Sequence, residues 1–115
     1  MGQYKIYHNP RCRKSREGLQ ILIDNGIEPE IIEYLDTPPT VSELDKVLKM
    51  LGKEPEEIIR KNEDIFKVKF KGKTLKRDEW IQAMVENPKL IERPIVIRDS
   101  NAVLGRPPEN IKDLL

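Results

Sequence analysis

The beginning of the chain has the pattern of a strand, a helix and a second strand, and this order strongly restricts the fold. Residues 3–7 and 30–35 are short, apolar-rich segments that predict strands. Between them, residues 12–25 carry apolar side chains at helical spacing, and Gly26 ends the pattern. A helix that joins two strands of one sheet in this way crosses over in the right-handed sense and leaves the strands parallel. The sequence therefore predicts an α/β fold with a parallel βαβ unit.

The remainder of the chain predicts further helices and a hairpin. Thr40 and Glu43 are spaced as in a capping box, and the apolar positions after them keep helical spacing up to Leu51. Gly52 ends this second helix. The other predicted elements are a short helix at residues 54–60, a loop or irregular strand at 66–77, a helix at 78–86, hairpin strands at 95–97 and 102–104, and a last helix at 108–114.

Length and composition predict one soluble domain, residues 1–115. A chain of 115 residues is large enough for one hydrophobic core and too short for two independent ones. Its residues are 37% hydrophobic and 36% charged, as is usual for soluble globular proteins. Neither a membrane-spanning apolar stretch nor a signal peptide stands out. We therefore expect a cytoplasmic protein that does not bind membranes, and a monomer.

The charge distribution argues against a nucleic-acid partner. The 21 basic and 20 acidic side chains nearly cancel, so the chain as a whole does not attract a polyanion. The basic segment from Lys67 to Arg77 contains one aromatic residue, Phe70, and predicts a solvated face. The same segment would also offer positive charge to oxyanions or to an acidic partner surface.

Cys12 is the only cysteine of the chain, and its position favours a reactive thiolate. It stands at the start of the first predicted helix, where unpaired backbone N–H groups and the positive end of the helix dipole stabilise an anion. Cationic side chains surround it in the sequence and act in the same direction. They are Arg11, Arg13, Lys14 and Arg16.

Two common cysteine motifs are absent around Cys12. The phosphatase-type pattern Cys-x5-Arg requires arginine at position 18, which is Gly18 here. The dithiol pattern Cys-x-x-Cys requires cysteine at position 15, which is Ser15. One cysteine also excludes an internal disulfide and a cysteine-based zinc site. The remaining interpretation is a redox centre with one thiol that depends on an external second thiol.

Five separate segments, spread over essentially the whole chain, have a distinctive sequence. They are Ile-Tyr-His-Asn-Pro-Arg-Cys-Arg-Lys-Ser-Arg at 6–16, Leu-Asp-Thr-Pro-Pro-Thr at 35–40, Arg-Lys-Asn at 60–62, Leu-Ile-Glu-Arg-Pro-Ile-Val at 90–96 and Gly-Arg-Pro at 105–107. Together, and in this order, they resemble the glutaredoxin-coupled arsenate reductase family. The resemblance implies a thioredoxin-like fold: a four-stranded mixed sheet with flanking helices and a helical insert between strands 2 and 3.

The resemblance also implies the active-site residues. Cys12 is the expected nucleophile, and Arg60, Arg93 and Arg106 are expected to hold the substrate oxyanion. Arginine suits this role because its planar fork of donors matches a tetrahedral oxyanion. In the thioredoxin-like fold the proline facing the active thiol follows a cis peptide bond, and Pro94 occupies the matching position.

Three further residues are predicted to support Cys12. His8, if protonated, would lower the thiol pKa, and it would otherwise orient the loop. Ser15 would donate a hydrogen bond to the thiolate, and Arg16 lies on the same side of the helix. His8 is equally explained as a loop histidine satisfied by backbone hydrogen bonds, and Arg16 as a surface residue or salt-bridge partner.

The implied function is arsenic detoxification by reduction of arsenate to arsenite. Cys12 would form an adduct with arsenic, and glutathione, as thiol co-substrate, would reduce it with glutaredoxin as the partner protein. The resemblance implies no metal and no bound cofactor. Two alternatives stay open: a redox-responsive regulator of the same fold that binds RNA polymerase, and a thiol reductase with another substrate. The regulators carry Cys-x-x-Cys, which Ser15 removes here.

Overall fold

A computed structural model describes residues 3–115 of the chain. One four-stranded sheet has the order β2-β1-β3-β4. Strands β1 and β2 are parallel, whereas β3 runs antiparallel to both β1 and β4. The predicted α/β class with a mixed sheet and a parallel βαβ unit is confirmed. The strands are β1 Tyr4–Tyr7, β2 Glu30–Ile32, β3 Ile95–Arg98 and β4 Asn101–Leu104.

The helices lie between and after these strands, as the pattern of caps and apolar positions predicts. Thr40 caps the second helix: its hydroxyl accepts the Glu43 N–H, and its own N–H donates to the Glu43 carboxylate. The α-helices are α1 Arg13–Asp24, α2 Val41–Leu51, α3 Asp64–Lys69 and α4 Arg77–Glu86. Short 3-10 helices span Pro55–Ile58, Pro88–Leu90 and Pro108–Leu114.

The chain divides into two compact units. The first contains the sheet, α1 and the last 3-10 helix, and comprises the chain up to Thr37 together with Arg93–Leu115. The second is the helical segment Pro38–Glu92, inserted between β2 and β3 as predicted. That the whole chain is one domain stays a prediction.

The core of the first unit fixes α1 on the sheet. Leu22 of α1 and Ile111 of the last 3-10 helix are fully buried in one cluster with Ile6 of β1 and Val96 of β3. Burying four such side chains contributes roughly 1.5–3 kcal/mol each. The beginning of α1 is therefore held at the end of β1, where the loop with Cys12 lies.

The second strand is shorter than predicted, because the chain turns after Ile32. The N–H groups of Asp36 and Thr37 donate to the carbonyl of Glu33, at 2.9 and 3.0 Å. This turn buries Tyr34, whose ring lies 6.4 Å from that of Tyr7. Tyr34 is thus buried by a turn rather than by strand pairing.

The prediction of a loop or irregular strand at 66–77 is wrong for its first residues, which belong to α3. Phe66 and Phe70 are four residues apart, so a helix brings both rings to one side. Both rings pack on Trp80 of α4, with ring centroids 6.3 and 5.9 Å away. Because lysines alternate with other residues in this segment, its sequence has the period of a strand and the helical spacing of the two rings is hard to recognise.

Among residues 3–115, no helix is long and apolar enough to cross a membrane.

Candidate active site

Cys12 is the N-cap residue of α1, with an extended backbone at φ −95° and ψ 123°. Its carbonyl accepts the first helical hydrogen bond, from the Arg16 N–H at 3.0 Å. The loop before it is tied to Asn9, whose carbonyl accepts the Cys12 N–H and whose side-chain oxygen accepts the Arg11 N–H, both at 3.0 Å. The half-buried thiol therefore stands at a defined position over the start of the helix.

The surroundings of Cys12 lower the pKa of its thiol. Burial acts in the opposite direction and raises the pKa. Hydrogen bonds from the Arg93 side chain and from the backbone N–H groups of Ser15 and Lys14 lower the pKa, and together they outweigh the effect of burial. The positive charge of Arg93 adds to the effect. These groups favour the thiolate, which is the nucleophilic form of cysteine.

His8 and Ser15 form a buried polar pair beside the loop. His8 Nδ1 lies 2.6 Å from the hydroxyl oxygen of Ser15, and that oxygen also accepts the Asn9 N–H at 2.9 Å. All three residues are buried, Ser15 completely. The hydroxyl of Ser15 thus joins strand β1, through His8, to the beginning of α1, and Ser15 acts on Cys12 through its backbone N–H.

The pKa of His8 is lowered, which bears on the two predicted roles of this residue. Burial is the main cause, opposed by the Glu33 carboxylate and assisted by the Arg16 guanidinium. A histidine with a lowered pKa is neutral at physiological pH. Orientation of the loop is therefore the role that the geometry favours for His8, rather than that of a cation beside the thiol.

The side chains of Arg16 and Arg106 both donate hydrogen bonds to backbone carbonyls. The Arg16 guanidinium donates to the carbonyl of Pro10 at 2.9 Å, in the loop before Cys12. The Arg106 guanidinium donates to the carbonyl of Arg93 at 3.1 Å, and both arginines keep exposed groups. Cys12, Arg93 and Arg106 are thus connected by direct contacts within the first unit, and the bond between Arg93 and Pro94 is cis, as the resemblance implies.

Arg60 belongs to the second unit. Its guanidinium is half-buried and faces two carboxylates, at 3.4 Å from Glu63 and 3.8 Å from Glu92. Its backbone N–H donates to the Leu90 carbonyl at 2.8 Å. An oxyanion bound by Arg60 would have to compete with these carboxylates, and the predicted role of Arg60 stays a prediction.

Two glycines lie at the site although the sequence patterns predicted no role for them there. Gly18 of α1 and Gly105 after β4 both lie against the ring of Pro94. The sequence held a signal for Gly18 alone: this glycine lies inside an amphipathic helix, where glycine is unfavourable by about 1 kcal/mol relative to alanine.

Across residues 3–115 there is no group of three His, Cys, Asp or Glu side chains arranged to hold a metal ion.

Nearly the whole chain is similar to known proteins. The ArsC family matches residues 7–114. The Escherichia coli K12 protein YfgD, named as uncharacterised, is 48% identical over 115 residues and covers 98% of this chain and 97% of its own. An arsenate reductase of Neisseria meningitidis serogroup A is 41% identical over 117 residues, covering 100% of both chains.

A solved structure gives the same result in three dimensions. The arsenate reductase from Vibrio cholerae superposes with a TM-score of 0.93 at 43% identity, over 99% of this chain and 98% of that one. Its fold is thus that of the four-stranded sheet and helices described above. The family match extends over nearly the whole chain, from the end of β1 to the end of the last 3-10 helix. This chain belongs to the ArsC family.

Proposed function

We propose that the protein reduces arsenate to arsenite, with Cys12 as the nucleophile. The observation that carries this proposal is the Arg93 side chain hydrogen-bonded to the Cys12 sulfur, because one group then both favours the thiolate and stands where the substrate oxyanion must approach. The relatives in Neisseria meningitidis and Vibrio cholerae, both named arsenate reductases, support the same activity.

In the first step the Cys12 thiolate attacks arsenic(V) and forms a sulfur–arsenic bond. One arsenate oxygen takes up a proton and leaves as water, so arsenic stays pentavalent in the adduct. Arg93, Arg106 and Arg60 would neutralise the charge on the remaining oxygens. The exposed guanidinium groups around Cys12 also draw anions to this end of the first unit.

The second step requires an external thiol, because the chain has one cysteine. Glutathione attacks the adduct, and the sulfur atoms of two thiols together supply the two electrons that convert arsenic(V) to arsenic(III). Arsenite leaves, and the thiols end as a disulfide that glutaredoxin or more glutathione reduces. The overall reaction consumes one arsenate and two glutathione molecules and yields arsenite, oxidised glutathione and water. The proposal places the enzyme in the cytoplasm, where glutathione keeps thiols reduced.

The test is arsenite formation from arsenate with glutathione and glutaredoxin, for the wild type and for Cys12→Ser, Arg93→Ala, Arg106→Ala and Arg60→Ala. Loss of one positioned oxyanion donor lowers kcat by about 10²–10³-fold in other enzymes, so a loss of that order is expected for Arg93→Ala. Lys49→Ala is the matched control, because Lys49 is an exposed cation of α2 that pairs with Asp45 at 3.2 Å and is not among the groups that lower the pKa of Cys12.

Two results would contradict the proposal. The first is arsenite formation by the wild type at the background rate of glutathione and glutaredoxin alone. The second is a rate for Cys12→Ser equal to that of the wild type. If arsenate is not reduced while the thiol still reacts rapidly with other electrophiles, the family fold serves another substrate.

A further inference from the structure

The ring of Pro94 occupies a space that exists only because two facing residues have no side chain. A Cβ atom at Gly18 of α1 would lie 2.8 Å from Pro94 Cγ, and one at Gly105 would also lie 2.8 Å from that atom. Carbon atoms do not pack at this distance, since contacts between them are optimal near 3.5–4.0 Å. Pro94 is buried and its ring is rigid, so it cannot turn away as a long side chain would.

Backbone conformation does not explain either glycine. Gly26, Gly52 and Gly72 have positive φ angles, whereas Gly18 and Gly105 do not. Gly18 lies inside a helix, where glycine is unfavourable by about 1 kcal/mol relative to alanine. The close approach of Pro94 and of Ile111 is therefore the physical reason for a glycine at these two positions.

The segment of Arg93 and Pro94 is also held by hydrogen bonds. The Pro94 carbonyl accepts the Gly105 N–H at 2.8 Å, and the Arg93 carbonyl accepts the Arg106 guanidinium at 3.1 Å. The ring itself packs against Gly18 and Gly105. With both carbonyls and the ring in place, the Arg93 side chain extends from a fixed point to the Cys12 sulfur.

We propose that Gly18 and Gly105 are positioning residues of the active site: they seat the Pro94 ring, and this seat holds the Arg93 guanidinium on the Cys12 sulfur. Both act through Pro94 and Arg93 and touch neither thiol nor substrate. The effect on the thiol is independent of the proposed function, whereas the effect on arsenate turnover rests on it.

Ile111 permits a design that separates a general packing defect from displacement of Pro94. Its Cδ1 atom lies 2.8 Å from the Cβ position at Gly18 and 3.0 Å from that at Gly105. Replacing Ile111 by valine removes this Cδ1 atom, and with it the contact that the end of a flexible side chain makes with each added Cβ atom. The clash with the Pro94 ring remains. Gly18→Ala and Gly105→Ala are therefore made both alone and together with Ile111→Val.

The main measurement is the rate of alkylation of Cys12 by iodoacetamide as a function of pH. A thiol pKa raised by one unit lowers the rate by up to about tenfold, with the full factor at any pH below both pKa values, because the thiolate is the reacting form. We expect each alanine variant to lose about three- to tenfold in rate at pH 7, to lie between the wild type and Arg93→Ala, and to keep that loss with Ile111→Val.

Leu22→Ala is the matched control, because Leu22 is buried in the same core as Ile111 and its truncation destabilises the first unit. This control is expected to unfold at lower urea concentration and to keep the wild-type alkylation profile. Stability of every variant is measured by urea unfolding. If Gly18→Ala does not fold, the alkylation profile of the double variant Gly105→Ala, Ile111→Val is the test.

The proposal is overturned if the folded alanine variants unfold earlier but alkylate as the wild type does, as Leu22→Ala should, because the glycines then act in packing alone. It is also overturned if Ile111→Val restores the alkylation rate, because the clash with Ile111 is then the cause. For arsenate turnover the expected change is a higher KM with a lower kcat. An altered alkylation profile in a protein inactive on arsenate would refute the proposed function and leave the positioning role supported.

Discussion

The side chain of Arg93 hydrogen-bonds the sulfur of Cys12, although the two residues lie near opposite ends of the chain. The contact joins the N-terminus of α1 to the residue before the cis peptide bond at Pro94. Arg93 opposes the effect of burial on the thiol pKa by both its hydrogen bond and its charge. The reactivity of Cys12 therefore depends on a residue outside its own motif.

Replacing Arg93 is expected to raise the pKa of the Cys12 thiol. Arg93→Ala removes both the hydrogen bond and the charge, and Arg93→Lys restores only a charge without the planar fork. The pH profile of iodoacetamide alkylation should shift upward most for alanine and less for lysine. Lys49→Ala, which breaks an exposed ion pair with Asp45 on α2, should leave the profile in place. Equal profiles for wild type and Arg93→Ala would contradict this prediction.

The lowered pKa of Cys12 is expected to make folding stability depend on pH. Because the folded state holds the thiolate more favourably than the unfolded chain, this contribution is complete above the ordinary thiol pKa of about 8.5. It is lost as the pH falls through the lower pKa of the folded state. The free energy of unfolding in urea should therefore change less between pH 9.5 and pH 6 for Cys12→Ser than for the wild type. A larger change for Cys12→Ser than for the wild type would refute the prediction.

His8 is the only histidine of the chain, so its titration can be followed as one ring signal by NMR. Burial lowers its pKa, and we expect a midpoint below the ordinary value of about 6.5. Protonation of His8 should then destabilise the fold, with stability present above pH 6.5 and lost as the pH falls through the midpoint. Unfolded protein provides the reference titration, and a midpoint above that of the unfolded chain would contradict the prediction.

Removing the Ser15 hydroxyl is expected to cost stability at a buried site. Ser15→Ala leaves the Asn9 N–H and the His8 ring without the oxygen that they share. A buried polar group without its partner costs about 1–3 kcal/mol, which urea unfolding detects. Ser42→Ala in α2 is the matched control, because Ser42 is exposed and such surface substitutions usually stay within about 0.5 kcal/mol. A loss for Ser15→Ala no larger than the control would contradict the prediction.

Elements marked by local signals were predicted well from the sequence. The capping box of Thr40 and Glu43 lies within four residues, and its hydrogen bonds form as predicted. Helix α3 was missed because its stability comes from Phe66 and Phe70 packing on Trp80, a contact between two helices. The short β2 was overestimated for a similar reason, since Tyr34 is buried in a turn against Tyr7.

The α/β order of elements and the place of Cys12 at the start of a helix could be read from the chain alone, because caps, periodicity and glycine stops act between residues close in the chain. The resemblance to a known family added predicted roles for Arg60, Arg93, Arg106 and Pro94. Packing between elements distant in the chain brings Arg93 to the sulfur, joins the Ser15 hydroxyl to His8 and places Gly18 and Gly105 against Pro94. These contacts depend on how α1, β1, β3 and β4 pack, and a packing distance between distant residues leaves no local pattern to read.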